Sequence, residues 1–217
     1  MADARRPDVP DVADRAGPAG GFPPLVVVLT GPSGVGKDAV VNRADERGEP
    51  VVRPATMTTR APRPGEEEGV HHYFVTREEF LDYVEAGELL EHAEVYGNLY
   101  GVPRKSVRAA LTTGKHVIVR VDVQGAESLR QVLPDALFVA LEPASPEALE
   151  AHLTDRGSET PGQMWRRLDI AHEEIARARS FCVPLVNVEG DLDATVDAFL
   201  ELIAQEQARP GREPVRV

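Results

Sequence analysis

The stretch GPSGVGKD, Gly31 to Asp38, holds the residues best suited to chemistry in this chain. Gly31, Gly34 and Gly36 let the backbone turn tightly and aim successive N–H groups at one anion, with Pro32, Ser33 and Val35 completing the loop. Lys37 adds a point charge for the outer phosphates, and a helix beginning near Gly36 adds the partial positive charge of its N-terminus. A complete G-x-x-x-x-G-K after the apolar run PLVVVLT and before a helix reads as a nucleotide phosphate loop. The next position ordinarily carries Ser or Thr, whose hydroxyl holds Mg2+; here it is Asp38. A carboxylate left uncompensated there repels a phosphate charge by about 4 kcal/mol at ~4 Å and an effective dielectric near ~20. Coordinated to Mg2+ it is a stronger ligand than a hydroxyl, which makes Asp38 the candidate metal residue.

A second constellation is TTRAPRPGEEEG, with Arg60 and Arg63 on a loop stiffened by Pro62 and Pro64. Two guanidiniums at this spacing suit bidentate capture of a phosphate monoester. Further on, LLEHAEVYGNLYG carries Glu91 ahead of a turn at Gly97-Asn98 and closes on Tyr100-Gly101. The run Glu66 to Glu68 reads mostly as a solvated acidic turn, with Glu66 alone set apart as the glutamate that closes TTRAPRPGE, and Arg177 and Arg179 as a solvated helix face.

The elements that must position these groups follow from the apolar pattern. PLVVVLT, HVIVRVDV, ALFVALE and VPLVNV read as strands, VVRPATMTT as a weaker one, and helices are expected at REEFLDYVEAG, PRKSVRAALTTG, SPEALEAHLTDRG, GQMWRRLDIAHEEIARARS and DLDATVDAFLELIAQEQ. Strands separated by helices imply an α/β fold, a mostly parallel sheet covered on both faces. The region from about 56 to 102, dense in Pro, Gly, Glu and His, breaks that rhythm and reads as an inserted lobe. Residues 1–22 and 208–217 read as disordered tails around a domain spanning 23–207. A net charge of -12 over 217 residues argues against a broad nucleic-acid surface. The apolar runs are too short for a membrane span, and no signal peptide is visible. Cys182, the single cysteine, reads as a small buried hydrophobe, and a cytoplasmic setting is expected.

Together GPSGVGK, TTRAPRPGE, EHAEVYGNLYG and VDVQG resemble the guanylate kinase family, over nearly the whole chain between the tails and in the family's order. The resemblance implies a P-loop NTPase-type parallel sheet with a small GMP-binding lobe and a helical lid at about 152–175. It implies ATP and GMP as the bound partners, with Mg2+ accompanying ATP, and neither nucleic acid nor membrane. By the same resemblance Arg60, Arg63 and Tyr100 would grip the GMP phosphate, Asp122 would lie close to bound GMP, and Glu91 would accept from guanine N1–H and the 2-amino group. Thr56 matches a serine that contacts guanine O6, and Gly101 and Val102 continue that wall. Arg156 and Arg167 match lid arginines that close over the transferring group, with Lys37 and Arg63 as the other catalytic cations, and Asn187 matches an asparagine beside the ATP base.

Five positions depart from that pattern. Asp38 replaces Ser or Thr; Val102 stands where a hydroxyl usually donates to O6; His72 takes the place of a phosphate-binding tyrosine; Arg120 replaces an acidic residue; His152 replaces a lid arginine. Protonated His72 would bind phosphate better, which makes a pH-sensitive affinity the expectation there. The Lys-Asp loop and the Tyr-Gly-Val step also resemble ribose 1,5-bisphosphate phosphokinase, and the lobe resembles non-catalytic, phosphopeptide-binding relatives of guanylate kinase. A sugar phosphate has no base for Glu91 to read, and the binding modules usually lack the loop lysine that this chain keeps as Lys37.

Overall fold

Strand β1 (Val26–Thr30) is buried along its whole length, and its alternation divides the core in two. The computed structural model describes residues 23–95, 97–145, 147–150 and 161–217, with the backbone alone for 161–165. The parallel main sheet joins β1 to β2 (Val51–Val52), β7 (His116–Arg120), β8 (Leu137–Pro143) and β9 (Val183–Asn187) in the order β2-β7-β1-β8-β9. Leu25, Val27 and Leu29 enter one core with Val40 and Val41 of α1 (Lys37–Glu46) and Val196, Phe199 and Ile203 of α6 (Leu192–Gln207). Val26 and Val28 enter the other with Val107 and Ala110 of α3 (Arg104–Leu111) and Ala126 and Leu129 of α4 (Val123–Val132). Ala178, the last residue of α5 (Pro161–Ala178), joins that second core. A strand buried on both faces needs apolar side chains at successive positions, which is why VVVL reads as an unbroken run.

The inserted lobe is a sheet of its own. Strands β3 (Thr56–Thr58), β4 (His72–Phe74), β5 (Leu89–Val95) and β6 (Asn98–Pro103) lie in the order β4-β3-β6-β5, with α2 (Arg77–Glu85) packed on them. Met57, Phe80, Leu89 and Leu99 fill its core. Helix α2 starts on a capping box: Glu79 N donates to Thr76 Oγ1 at 3.2 Å, and Thr76 N donates to Glu79 Oε2 at 2.7 Å.

Three readings of the sequence change here. VVRPATMTT divides into β2 and β3, which belong to different sheets; Pro54 between them has no N–H with which to continue a ladder. HVIVRVDV stops at Arg120, because Asp122 turns out to be the N-cap of α4, its Oδ1 accepting from Gly125 N at 2.7 Å. The C-terminal segment packs instead of fraying: Val215 and Val217 lie against the second core and Arg108 Nε donates to Val217 O at 2.8 Å. Residues 1–22, and His152 and Arg156 of the expected lid, lie outside the described residues. Among the described residues no helix is long and apolar enough to cross a membrane.

Candidate active site

The phosphate loop leaves β1 at Thr30 and enters α1 at Lys37. Gly31 sits at φ 137, where an added Cβ would come within 2.2 Å of the Leu141 carbonyl oxygen, so the loop can lie against β8 only with glycine there. Gly36, the N-cap of α1 at φ 98, faces Asn187, whose Nδ2 would be 2.8 Å from a Cβ. Asn187 Nδ2 donates to Val35 O at 3.0 Å, and its Oδ1 accepts from Thr195 Oγ1 at 3.1 Å. Asn187 is therefore seen bracing the phosphate loop. Lys37 Nζ donates to the carbonyls of Gly31 at 2.6 Å and Pro32 at 3.1 Å, folded back over the loop it serves. Glu174 of α5, a residue the sequence reading passed over, is half-buried and lies within electrostatic range of both Lys37 and Asp122. Its signal in the sequence is no more than two glutamates in a helix.

In the lobe, Arg60 and Glu66 form a two-pronged pair, at 2.7 Å and 2.6 Å, and Glu66 Oε2 also accepts from Arg63 N at 2.7 Å. Those bonds hold the Glu66 carboxyl down at about 2, Arg60 contributing most. Glu66 is thus an organiser of the arginine loop rather than part of a solvated turn. Arg60 Nη2 approaches His72 Nε2 at 3.2 Å, and His72 Nδ1 lies 2.6 Å from Thr56 Oγ1. A guanidinium can only donate, so Nε2 accepts and the proton of a neutral His72 sits on Nδ1, donating to Thr56. The Thr56 hydroxyl hydrogen is then left to point elsewhere. Burial first, and the Arg60 charge second, push the His72 pKa below its ordinary value. In this arrangement the neutral ring links Arg60 to Thr56, and His72 lines the same cavity as Glu91 and Tyr100. Arg63 is exposed on its loop.

A cavity of about 290 Å³ lies between lobe and main sheet. Thr56, His72, Glu91, Tyr100, Gly101 and Val102 line it from the lobe, and Lys37, Arg120 and Asp122 from the main domain. Glu91 is largely buried, and that burial, with the Asp122 charge second, raises its carboxyl to about 7. Glu91 reaches the start of α4, where a Cβ on Gly125 would lie 3.1 Å from Glu91 Oε1. Val102, opposite Glu91 in the β5–β6 ladder, is 3% exposed and brings no polar atom to this wall.

Asp38, in the first turn of α1, is ion-paired with Arg120 at the end of β7. The two residues are the two charged departures of the main domain, and they face each other. Among the described residues no cluster of three or more His, Cys, Asp or Glu could hold a metal ion unaided. Asp38 is mostly exposed, so its carboxylate suits an ion that arrives on nucleotide phosphates and needs one protein ligand. Arg167 lies on α5, half-buried. Arg179, expected on a solvated face, donates to the buried Glu142 of β8 at 2.8 Å and 2.6 Å, and Arg177 pairs with Glu127 of α4. Both ties fasten the C-terminal end of α5 to the main domain. Cys182 is buried, its thiol pushed up to about 12 by burial.

A parallel sheet with a glycine loop and lysine at the end of its central strand, facing across a cavity a lobe that carries the Arg60 and Arg63 loop, defines a P-loop phosphotransferase. Comparison with known proteins narrows the class. A family model described as guanylate kinase matches residues 24–206. A guanylate kinase of Nocardia farcinica is 49% identical over 166 residues, 76% of this chain and 86% of that protein. Guanylate kinase 2, chloroplastic/mitochondrial, of Oryza sativa is 42% identical over 195 residues, 89% of this chain and 68% of that protein. The crystal structure of guanylate kinase from Anaplasma phagocytophilum superposes with a TM-score of 0.65 at 32% identity, covering 87% of this chain and 89% of that one. The chain belongs to the guanylate kinase family.

Proposed function

We propose that this chain carries out its family's reaction, transfer of the γ-phosphoryl group of ATP to GMP, and that the residues around the cavity divide the work as follows. Lys37 and the loop N–H groups hold the ATP phosphates, with Asn187 keeping the loop in shape. Asp38 would hold Mg2+ on those phosphates, and the ion would neutralise charge that develops during transfer. Glu91 accepts from guanine N1–H and the 2-amino group; adenine presents an acceptor at N1 and no 2-amino donor, so a buried carboxylate turns it away. The Thr56 hydroxyl, accepting from His72, keeps its hydrogen for guanine O6. Arg60, Arg63 and Tyr100 bind the GMP phosphate, while Asp122 caps α4 beside the nucleotide. Arg156 and Arg167 of the lid complete the charge around the transferring group. The cytoplasm and an assembly of one or two chains belong to the same proposal.

One observation carries this reading: the Glu91 carboxylate and the Lys37 ammonium line one cavity. A sugar phosphate would leave a buried base-reading carboxylate without a partner, and a binding module would have no use for Lys37 folded on its loop. The test is ADP release from ATP and Mg2+ with GMP, dGMP, AMP, IMP or ribose 1,5-bisphosphate as acceptor. GMP is expected to turn over far faster than AMP, by a factor of about 10⁴ where polar groups set the choice. Turnover with the sugar bisphosphate alone would overturn it.

A further inference from the structure

Arg120 stands between the two halves of the site. Its strand lies beside β1, with Arg120 in register with Leu29 just before the phosphate loop, and its side chain reaches forward to Asp38 on α1. The same side chain lines the cavity that holds Glu91 and Tyr100. Lys37 and Arg120 are the two permanent cations among the residues lining that cavity. Lys37 is committed to the loop, where it bonds the Gly31 and Pro32 carbonyls. Arg120 is held differently. Its partner Asp38 is 71% exposed while Arg120 itself is 33% exposed, so one end of the pair is open to water. An ion pair of that kind shifts an equilibrium by a factor of about five or less. A phosphate dianion offers a guanidinium a second charge and a planar two-pronged contact, which makes it the stronger partner.

We propose that Arg120 is a phosphate-binding residue of the acceptor site and that Asp38 competes with the substrate phosphate for it. In the empty protein Arg120 rests on Asp38, which keeps the guanidinium from collapsing onto Glu91 or Asp122 in the cavity. The phosphate of GMP draws it away, at the cost of the weaker pair. Two departures from the family pattern thereby become one device: a cation in the acceptor cavity and a carboxylate that sets how readily it is given up. The inference rests on the reading of the cavity as the GMP site.

Calorimetric titration of GMP and of guanosine into the protein without ATP or Mg2+ tests this. Arg120→Met is expected to weaken GMP by about tenfold, the loss of one charge-assisted contact. Asp38→Asn is expected to tighten GMP about threefold, because its competitor is gone. Guanosine, which has no phosphate, is expected to bind all variants alike. In the Arg120→Met background, Asp38→Asn is expected to add nothing, since it acts through Arg120. A pair that merely braces the fold would move GMP and guanosine together and in the same direction for both substitutions; that result overturns the inference. So does an equal gain from Asp38→Asn with and without Arg120, which would mean simple charge repulsion. If the parent protein binds no GMP, the GMP reading falls along with it; if it binds GMP and no variant changes the affinity, the inference alone falls. Denaturation midpoints measured alongside separate a misfolded variant from a weakened site.

Discussion

Gly125 and Glu91 come from different sheets' neighbourhoods, yet the one makes room for the other: a Cβ on Gly125 would stand 3.1 Å from Glu91 Oε1 and 3.0 Å from Val121 Cβ. A side chain at this position would crowd the Glu91 carboxylate against the first turn of α4. Gly125→Ala is expected to push Glu91 off its position and raise the KM for GMP by about tenfold, the scale of one impaired polar contact. The KM for ATP should stay within about twofold, because α1 and its loop are untouched. Steady-state kinetics with each substrate varied in turn will check this.

The pH dependence of GMP binding follows from the Glu91 carboxyl at about 7. Guanine donates to the ionised form, so below this value binding must expel a proton and the affinity falls by about tenfold per pH unit. Above about pH 8 the affinity levels off. Burial raises the value first, and Asp122, the other carboxylate on this cavity wall, supports it; Lys37 and Arg120 line the same cavity. Any rise from His72 on acidification is expected only below the ordinary histidine range, since burial and the Arg60 charge lower its value. Titration from about pH 5.5 to about pH 8.5 separates the two, because protonation of His72 would strengthen phosphate binding as pH falls.

The same group carries a stability consequence. Glu91 has its folded value raised from 4.5 to about 7, so the folded state holds a proton that the unfolded chain releases between those values. Stability is therefore unaffected below 4.5 and declines as pH rises towards 7, at a cost of up to about 3 kcal/mol above it. Glu91→Gln is expected to raise Tm at about pH 8, to change it little at about pH 4.5, and to abolish selection of GMP. Thermal unfolding at both pH values, without ligand, gives the comparison.

Asn187→Ala removes the bond to Val35 O and the acceptor for Thr195 Oγ1. A loosened loop is expected to raise the KM for ATP several-fold, roughly 1–2 kcal/mol of lost positioning, with guanosine binding unchanged. Equal weakening of both ligands would mean general loss of the fold instead.

What could be read beforehand depended on how local the cause was. The phosphate loop, the α2 helix and the double-sided burial of β1 are written in adjacent residues, and each was legible; the capping box that starts α2 was not read. Helix α4 was not: Asp122 looked like the end of a strand, and its role as a cap exists only in the geometry of Gly125 N. The division of VVRPATMTT between two sheets depends on where Thr56–Thr58 finds its partners, β4 on one side and β6 on the other, far along the chain. The neutral state of His72 depends on Arg60 approaching one ring nitrogen and Thr56 the other. The Asp38–Arg120 pair looked like two unrelated oddities until the sheet brought β7 beside β1.

The lobe leaves the main domain after Val52 and returns at Arg104, and its first and last strands lie side by side, Met57 opposite Gly101. Entry and exit thus share one seam, the arrangement in which a segment can be lifted out and another set in without stretching the host. A lobe from a relative should therefore be transplantable onto the same main domain, provided that whatever replaces Glu91 fits the hollow beside Gly125 and that the cavity residues Arg120 and Asp122, which stay behind, suit the new acceptor.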